Sequence, residues 1–241
     1  MRKLIFAARG VGAGVFLLAC SSSAFSRDAS QVAVAREMTA TQRQMSPQAR
    51  ANFLGETASE ESRTVADRVV ASGDNGGLPF VIVDKIMAKA FVFDSAGDFL
   101  GAAPVLLGMA RGDDSVPGIG IRKLSAMLPE ERTTPAGRFV ASLGRDLKQD
   151  ILWIDYKDSI SMHRVITGNP GDHRLARLAT ASPLDNRISY GCINVPVKFY
   201  EQVVLKTFTG TSGIVYILPE IKTIQDAFPT LVKTDGRAGN D

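Results

Sequence analysis

Pro79-Phe80-Val81-Ile82-Val83-Asp84 and Lys89-Ala90-Phe91-Val92-Phe93 are the stretches on which the fold turns. Both are short runs of β-branched and aromatic residues, the composition of strands. Asp94-Ser-Ala-Gly-Asp98 follows as a turn, so the region reads as a hairpin connection into a third extended run over residues 99–108. Further strand-like runs lie at 138–143, 151–156, 159–166 and 213–219. Helical spacing is confined to a short piece at 123–128 and to Val197, Tyr200, Val203 and Val204 within 197–207. Many strands and few helices predict one mostly β domain over residues 78–219.

Outward from that domain the composition changes. Residues 20–77 are rich in Ala, Ser, Thr, Gln and Arg, with a weak helical pattern between Glu60 and Val70 and a Gly-rich close at 73–77. They read as a flexible, partly helical spacer. Residues 220–241 read as a loosely composed C-terminal tail. At the other end, Arg2, Lys3 and Arg9 flank the apolar run Gly10-Val-Gly-Ala-Gly-Val-Phe-Leu-Leu-Ala19, about ten residues and too short to span a bilayer. A basic flank, a short apolar core and small residues beyond it describe a signal peptide over 1–19. Leu17-Leu-Ala-Cys20 resembles a lipobox, which implies lipidation of Cys20 and an outer-membrane anchor, while Ser22-Ser-Ala24 suits ordinary cleavage and a free periplasmic protein. Both readings stand at this level.

The 241 residues carry a formal charge of +3, 45% hydrophobic and 22% charged. The excess comes from the three basic residues of the leader, since the rest holds 25 basic and 25 acidic side chains. A neutral mature chain gives no footing for nucleic-acid binding. No later stretch is apolar enough for a transmembrane helix.

The chemistry-bearing residues are few. If Cys20 is lipidated or removed, Cys192 is a lone thiol in an exported chain, against a background in which thiols pair. His163 and His173 are the only histidines and both precede it. One cysteine and two histidines without paired-ligand spacing predict no metal site, and no cofactor motif is present. Imidazole beside a thiol draws off its proton, and Gly191 allows the tight backbone needed for amides to face a substrate carbonyl.

Ser189-Tyr190-Gly191-Cys192-Ile193-Asn194, downstream of a strand histidine in Ile160-Ser-Met-His-Arg-Val165, resembles the signature of the YkuD-type L,D-transpeptidases. Val81-Ile-Val-Asp84 with Ala90-Phe-Val-Phe-Asp94, Pro104-Val-Leu-Leu-Gly108 and Thr134-Pro-Ala-Gly-Arg-Phe139 resemble further landmarks in the family's order. The resemblance spans residues 78–219. It implies a mostly β, sandwich-like catalytic domain with one or two short helices, acting on peptidoglycan stem peptides. Cys192 is then the nucleophile, His163 the general base, and amides around Gly191 and Cys192 the oxyanion donors. The products are cross-links or, with water as acceptor, trimmed stems, as made by an L,D-carboxypeptidase or a stem-linkage hydrolase. A catalytically degenerate peptidoglycan-binding lipoprotein is the alternative of another class.

Three positions depart from the family pattern. Tyr190 stands where a histidine is usual, Arg164 follows the base, and His163 lies further upstream of Cys192 than is common. His173 fits the common interval better but sits in the turn Asn169-Pro-Gly-Asp-His173, and it is the alternative base. With His163 as base, residues 167–188 are an insertion placed to lid the site. Ser189, Tyr190 and Asn194 are candidate substrate or loop-bracing residues, and Arg187 and Arg164 candidate carboxylate holders. Trp153, the one tryptophan, is expected in the core.

Overall fold

A computed structural model of the chain describes residues 50–146 and 148–232. The expected signal segment, Cys20 and the first part of the spacer lie outside the described residues, as does the end of the tail.

The described chain is mostly β. Its strands are β1 (Phe80–Asp84), β2 (Lys89–Phe93), β3 (Phe99–Pro104), β4 (Leu107–Gly108), β5 (Gly137–Asp146), β6 (Gln149–Asp155), β7 (Ile160–Arg164), β8 (Arg187–Ser189), β9 (Ile193–Val195) and β10 (Ser212–Ile217). Eight of them form one mixed sheet in the order β3-β2-β1-β10-β5-β6-β7-β9. The pairs β1–β10 and β7–β9 are parallel and the others antiparallel. β4 and β8 pair separately in parallel.

The central strands have no polar face because both faces are covered. Val81, Val83, Ala90, Val92, Val215 and Ile217 enter one core cluster, while Phe80, Ile82, Phe91, Phe93, Ile214 and Tyr216 enter a second on the opposite face. Period-two alternation therefore divides two apolar sets, which explains runs that are apolar throughout. The first cluster is closed by the helical segment formed of α3 (Val197–Phe199), a π-helical turn at Tyr200–Val204, and α4 (Leu205–Phe208).

The second cluster corrects two expectations. Residues expected as spacer form α1 (Glu60–Ser72), whose Val65, Ala66 and Val69 are fully buried in it beside Phe53. Ser59 caps α1 by accepting from the Ser62 amide, and the hydroxyls of Ser59 and Ser62 both donate to Asp84 Oδ2, at 2.6 and 3.0 Å. The small buried face lets α1 lie close on β1, and it leaves little apolar periodicity to detect. The tail likewise begins with α5 (Ile224–Ala227) and α6 (Pro229–Val232), with Phe228 and Leu231 buried in the same cluster. Two aromatic and aliphatic anchors, not the overall composition, fix that segment.

Residues 167–188 are turns at Pro170–Asp172 and Pro183–Asp185 around α2 (Arg174–Ala179). Leu178 packs with Leu106, Val165 and Ile188, so this segment has a small core of its own.

Candidate active site

The site follows from the last pairing of the large sheet. On β7, Ile160 and Met162 enter the first core, so alternation turns Ser161 and His163 to the other face. Parallel pairing with β9 sets His163 opposite Asn194 and Met162 opposite Ile193. Cys192, just before β9, therefore meets Ser161, whose hydroxyl donates to Sγ at 3.5 Å. The thiol donates to the Ser159 carbonyl at 3.4 Å. Ser159, Ser161, His163, Tyr190 and Cys192 all line one cavity of about 440 Å³.

The loop that presents Cys192 is fastened at Ser189, Gly191, Cys192 and Asn194. Gly191 has φ +130°, and a Cβ there would lie 2.7 Å from the Thr133 carbonyl oxygen, so only glycine fits both the dihedral and the space. Thr134 Oγ1 donates to the Gly191 carbonyl and accepts from the Gly108 amide, both at 2.8 Å. Ser189 Oγ accepts from the Gly191 amide at 3.1 Å and donates to the Cys192 carbonyl at 2.6 Å. Asn194 Nδ2 also donates to the Cys192 carbonyl, at 3.2 Å. The Leu106–Asn194 bridge and the β4–β8 pair hold this loop to residues 106–109.

These bonds correct one expected role. The Gly191 amide is occupied by Ser189, so it does not face a substrate oxygen. No hydrogen bond among the described residues occupies the Tyr190 or Cys192 amide, so these two are the backbone donors that the cysteine loop leaves open beside the cavity.

His163 Nδ1 lies 2.7 Å from the Arg164 carbonyl oxygen, which only accepts, so Nδ1 carries the proton and Nε2 is the basic nitrogen. Burial pushes the imidazole pKa below its ordinary value, and the Arg174 charge adds to that, against the Arg164 carbonyl and Asp146. Burial pushes the Cys192 thiol up, against the Ser161 donors. Both groups are thus neutral at rest near pH 7, and Sγ is not hydrogen-bonded to the imidazole. The arrangement suits proton transfer to His163 during attack, not a standing thiolate–imidazolium pair.

The remaining candidates separate. Tyr190 borders both the main cavity and a neighbouring one of about 340 Å³, with the Arg132 guanidinium stacked 4.0 Å from its ring. Arg187 is a correction: it pairs with buried Glu220 at 2.6 Å and donates to the Lys85 carbonyl, holding an internal carboxylate away from the cavity. Arg164 is another. Its guanidinium pairs with Asp150 and Glu201 and lies over Tyr200 on a different surface. His173, the alternative base, is exposed at the start of α2 with φ +50° and does not line the cavity. Trp153 is half-buried, stacks on Tyr156 at 4.8 Å and borders the cavity instead of filling the core.

Sequence reasoning missed Ser161, Thr134 and Arg174. Ser161 had a usable signal, two residues before His163 on the same strand face. Thr134 had only its motif, and Arg174 had none, because its placement depends on how residues 167–188 fold back.

No protein-family model and no curated protein sequence matches the chain. Among solved structures, the chain is similar to an L,D-transpeptidase from Mycobacterium smegmatis, at 13% identity over 58% of each chain, TM-score 0.35. It is similar to the catalytic domain of the E. faecium L,D-transpeptidase at 14% identity, over 58% of this chain and 95% of that one, TM-score 0.35. It is also similar to the helical cell shape determining protein Pgp2 from Campylobacter jejuni at 14% identity, over 60% of this chain and 49% of that one, TM-score 0.37. The match thus spans just over half of the mycobacterial protein and about half of Pgp2.

Proposed function

We propose that this chain is a cysteine acyltransferase of the L,D-transpeptidase kind, acting in the cell envelope on peptidoglycan stem peptides. The observation that carries the reading is the convergence of Cys192 and His163 on one cavity, with the nucleophile's loop held rigid by Thr134, Ser189 and Asn194. The likeness of Ser189–Asn194 to the YkuD signature supplies the substrate class, and the export signal read at 1–19 fits a cell-wall substrate.

In this mechanism Sγ of Cys192 attacks the carbonyl of the L-centre of diaminopimelate in a tetrapeptide stem. His163 Nε2 takes the thiol proton as the C–S bond forms. The developing oxyanion falls to the Cys192 and Tyr190 amides, the unoccupied backbone donors of the loop. Collapse breaks the C–N bond, His163 returns the proton to the leaving amine, and D-Ala departs from the thioester. An amine of a second stem then attacks the thioester, giving a 3→3 cross-link and restoring the thiol. With water in that role the product is a tripeptide.

The test incubates the protein with disaccharide-tetrapeptide beside a Cys192→Ala control and reads products by mass spectrometry. Cysteine-dependent loss of D-Ala with dimers supports the transpeptidase. Tripeptide alone makes the enzyme a carboxypeptidase, and untouched tetrapeptide overturns the reading.

A further inference from the structure

We infer that Arg174 is the specificity-determining residue of the cavity, and that its guanidinium takes the free carboxylate of the residue that leaves, so that the site accepts a chain-terminal residue and rejects an internal one. This rests on the acyl-transfer reading of Cys192 and deepens it.

Arg174 reaches the site from the segment 167–188 and borders both the Cys192 cavity and its neighbour. Its side chain is only 14% exposed. Nε pairs with Asp172 Oδ2 at 2.8 Å, and NH1 donates to Asn194 Oδ1 at 2.9 Å. Asp172 is itself held by Asn169 Nδ2 at 2.7 Å. A guanidinium has five N–H donors, and here one NH1 hydrogen and both on NH2 have no partner among the described residues. Two partners thus hold the fork in place and leave an open edge that matches a carboxylate.

Asn194 ties this group to the chemistry. The same side chain that accepts from Arg174 donates to the Cys192 carbonyl. When Cys192 attacks the carbonyl before a terminal residue, the carboxylate of that residue lies one residue beyond the attacked carbon. In a half-buried cavity it must meet a cation or lose its hydration uncompensated. The other arginine of the cavity, Arg122, donates through NH1 alone to both oxygens of Glu131, at 2.8 and 2.9 Å, and has no bond to the cysteine loop among the described residues. Arg174 is the arginine of the cavity that is tied, through Asn194, to the cysteine loop while keeping donors open.

The experiment uses the full chain carrying Cys192→Ala and measures calorimetric binding of three ligands: the disaccharide-tetrapeptide, its C-terminal amide, and the analogue amidated on the diaminopimelate side-chain carboxylate. Each is repeated with Arg174→Gln and Arg174→Lys, after thermal melts establish that both variants fold. The C-terminal amide should bind about tenfold to a hundredfold more weakly than the acid. R174Q should cost the acid that same factor and the amide nothing, and R174K should restore part of it. In the chain with Cys192 intact, R174Q should also raise the acid limb of activity, because the Arg174 charge is removed from His163 while burial, the Arg164 carbonyl and Asp146 remain. R174K should not move it. Equal binding of acid and C-terminal amide, equal weakening of both by R174Q, discrimination only against the side-chain amide, or no binding at all each overturn the inference. Failure of the acyl-transfer reading looks different: the carboxylate-dependent binding persists, and no cysteine-dependent product forms.

Discussion

The protonation states of Cys192 and His163 govern what the site can do at a given pH. The imidazole must be neutral to accept a proton, and its pKa is depressed below 6.5, first by burial. The acid limb of kcat/KM should therefore have its midpoint below pH 6.5, and His163→Ala should abolish turnover across the whole range. The same shift enters stability. A depressed pKa means the unfolded chain binds the proton first, so this contribution is full above pH 6.5 and is lost as pH falls through the folded value. Cys192 is shifted the other way, above 9.0, so iodoacetamide should label it more slowly at pH 7 than it labels free cysteine. Rapid labelling at pH 7 would show a standing thiolate and sink the neutral-pair account. Gly191→Ala should destabilise by about 1–3 kcal/mol, from strain at φ +130° and a clash with the Thr133 carbonyl. A chemical melt checks it. That Cys192 and His163 share a cavity, and that position 191 needs glycine, was legible from residue type and strand context. Arg187 and Arg164 were misread because a sequence shows that an arginine is present but not which carboxylate it meets.

Elements were legible where apolar content was dense and illegible where burial is achieved with small side chains. β1, β2 and β10 announce themselves by continuous apolar runs, since two core clusters cover both of their faces. α1 shows only the weak helical pattern read between Glu60 and Val70 and hides its burial, because its buried face is Ser62, Val65, Ala66 and Val69 among charges. Yet the helix covers Phe80, Ile82, Phe91 and Phe93, and Phe53 packs edge-on to two of those rings at 5.4 and 4.9 Å. Val69→Ala should cost roughly 1–3 kcal/mol, the lost transfer of two methyls plus an incompletely collapsed cavity. Removing residues 50–77 should expose the aromatic face of the sheet and give an aggregating protein. If the truncated chain melts cooperatively at the parent temperature, α1 is the spacer its composition suggested.

At the scale of the whole molecule, one buried charge network joins the end of β1 and the segment after β10 to the site, and no single stretch of sequence contains it. Lys85 Nζ, at the end of β1, bonds Asp113 Oδ1 at 2.7 Å, the Gly112 carbonyl at 2.6 Å and the Thr134 carbonyl at 2.9 Å. Asp113 also accepts from the amides of Glu220, Ile221 and Lys222, which anchors the segment after β10. Glu220 is shared between Lys85, at 3.6 Å, and Arg187. Through Thr134, whose hydroxyl holds the Gly191 carbonyl, the network reaches the cysteine loop. Burial raises the Asp113 carboxyl, but the Lys222 amide, Lys85 and the other two amides outweigh it and hold it down at about 2. Its folded pKa lies below the ordinary 3.8, so its stabilisation is complete above that value and is lost as pH falls through about 2. The size is about 2 kcal/mol, since one pKa unit is worth about 1.4 kcal/mol. Asp113→Asn should flatten the stability–pH curve between about pH 4 and pH 2. Lys85→Met should cost more, about 3–5 kcal/mol, because it strands the buried Asp113 carboxylate without its cation and leaves Glu220 with Arg187 alone. It should also loosen the Cys192 loop, so that thiol labelling accelerates below the denaturation midpoint. Denaturant titrations of the parent, D113N and K85M, each with labelling of Cys192, decide the matter. If K85M loses stability while Cys192 labels at the parent rate, the network holds the fold together without positioning the nucleophile.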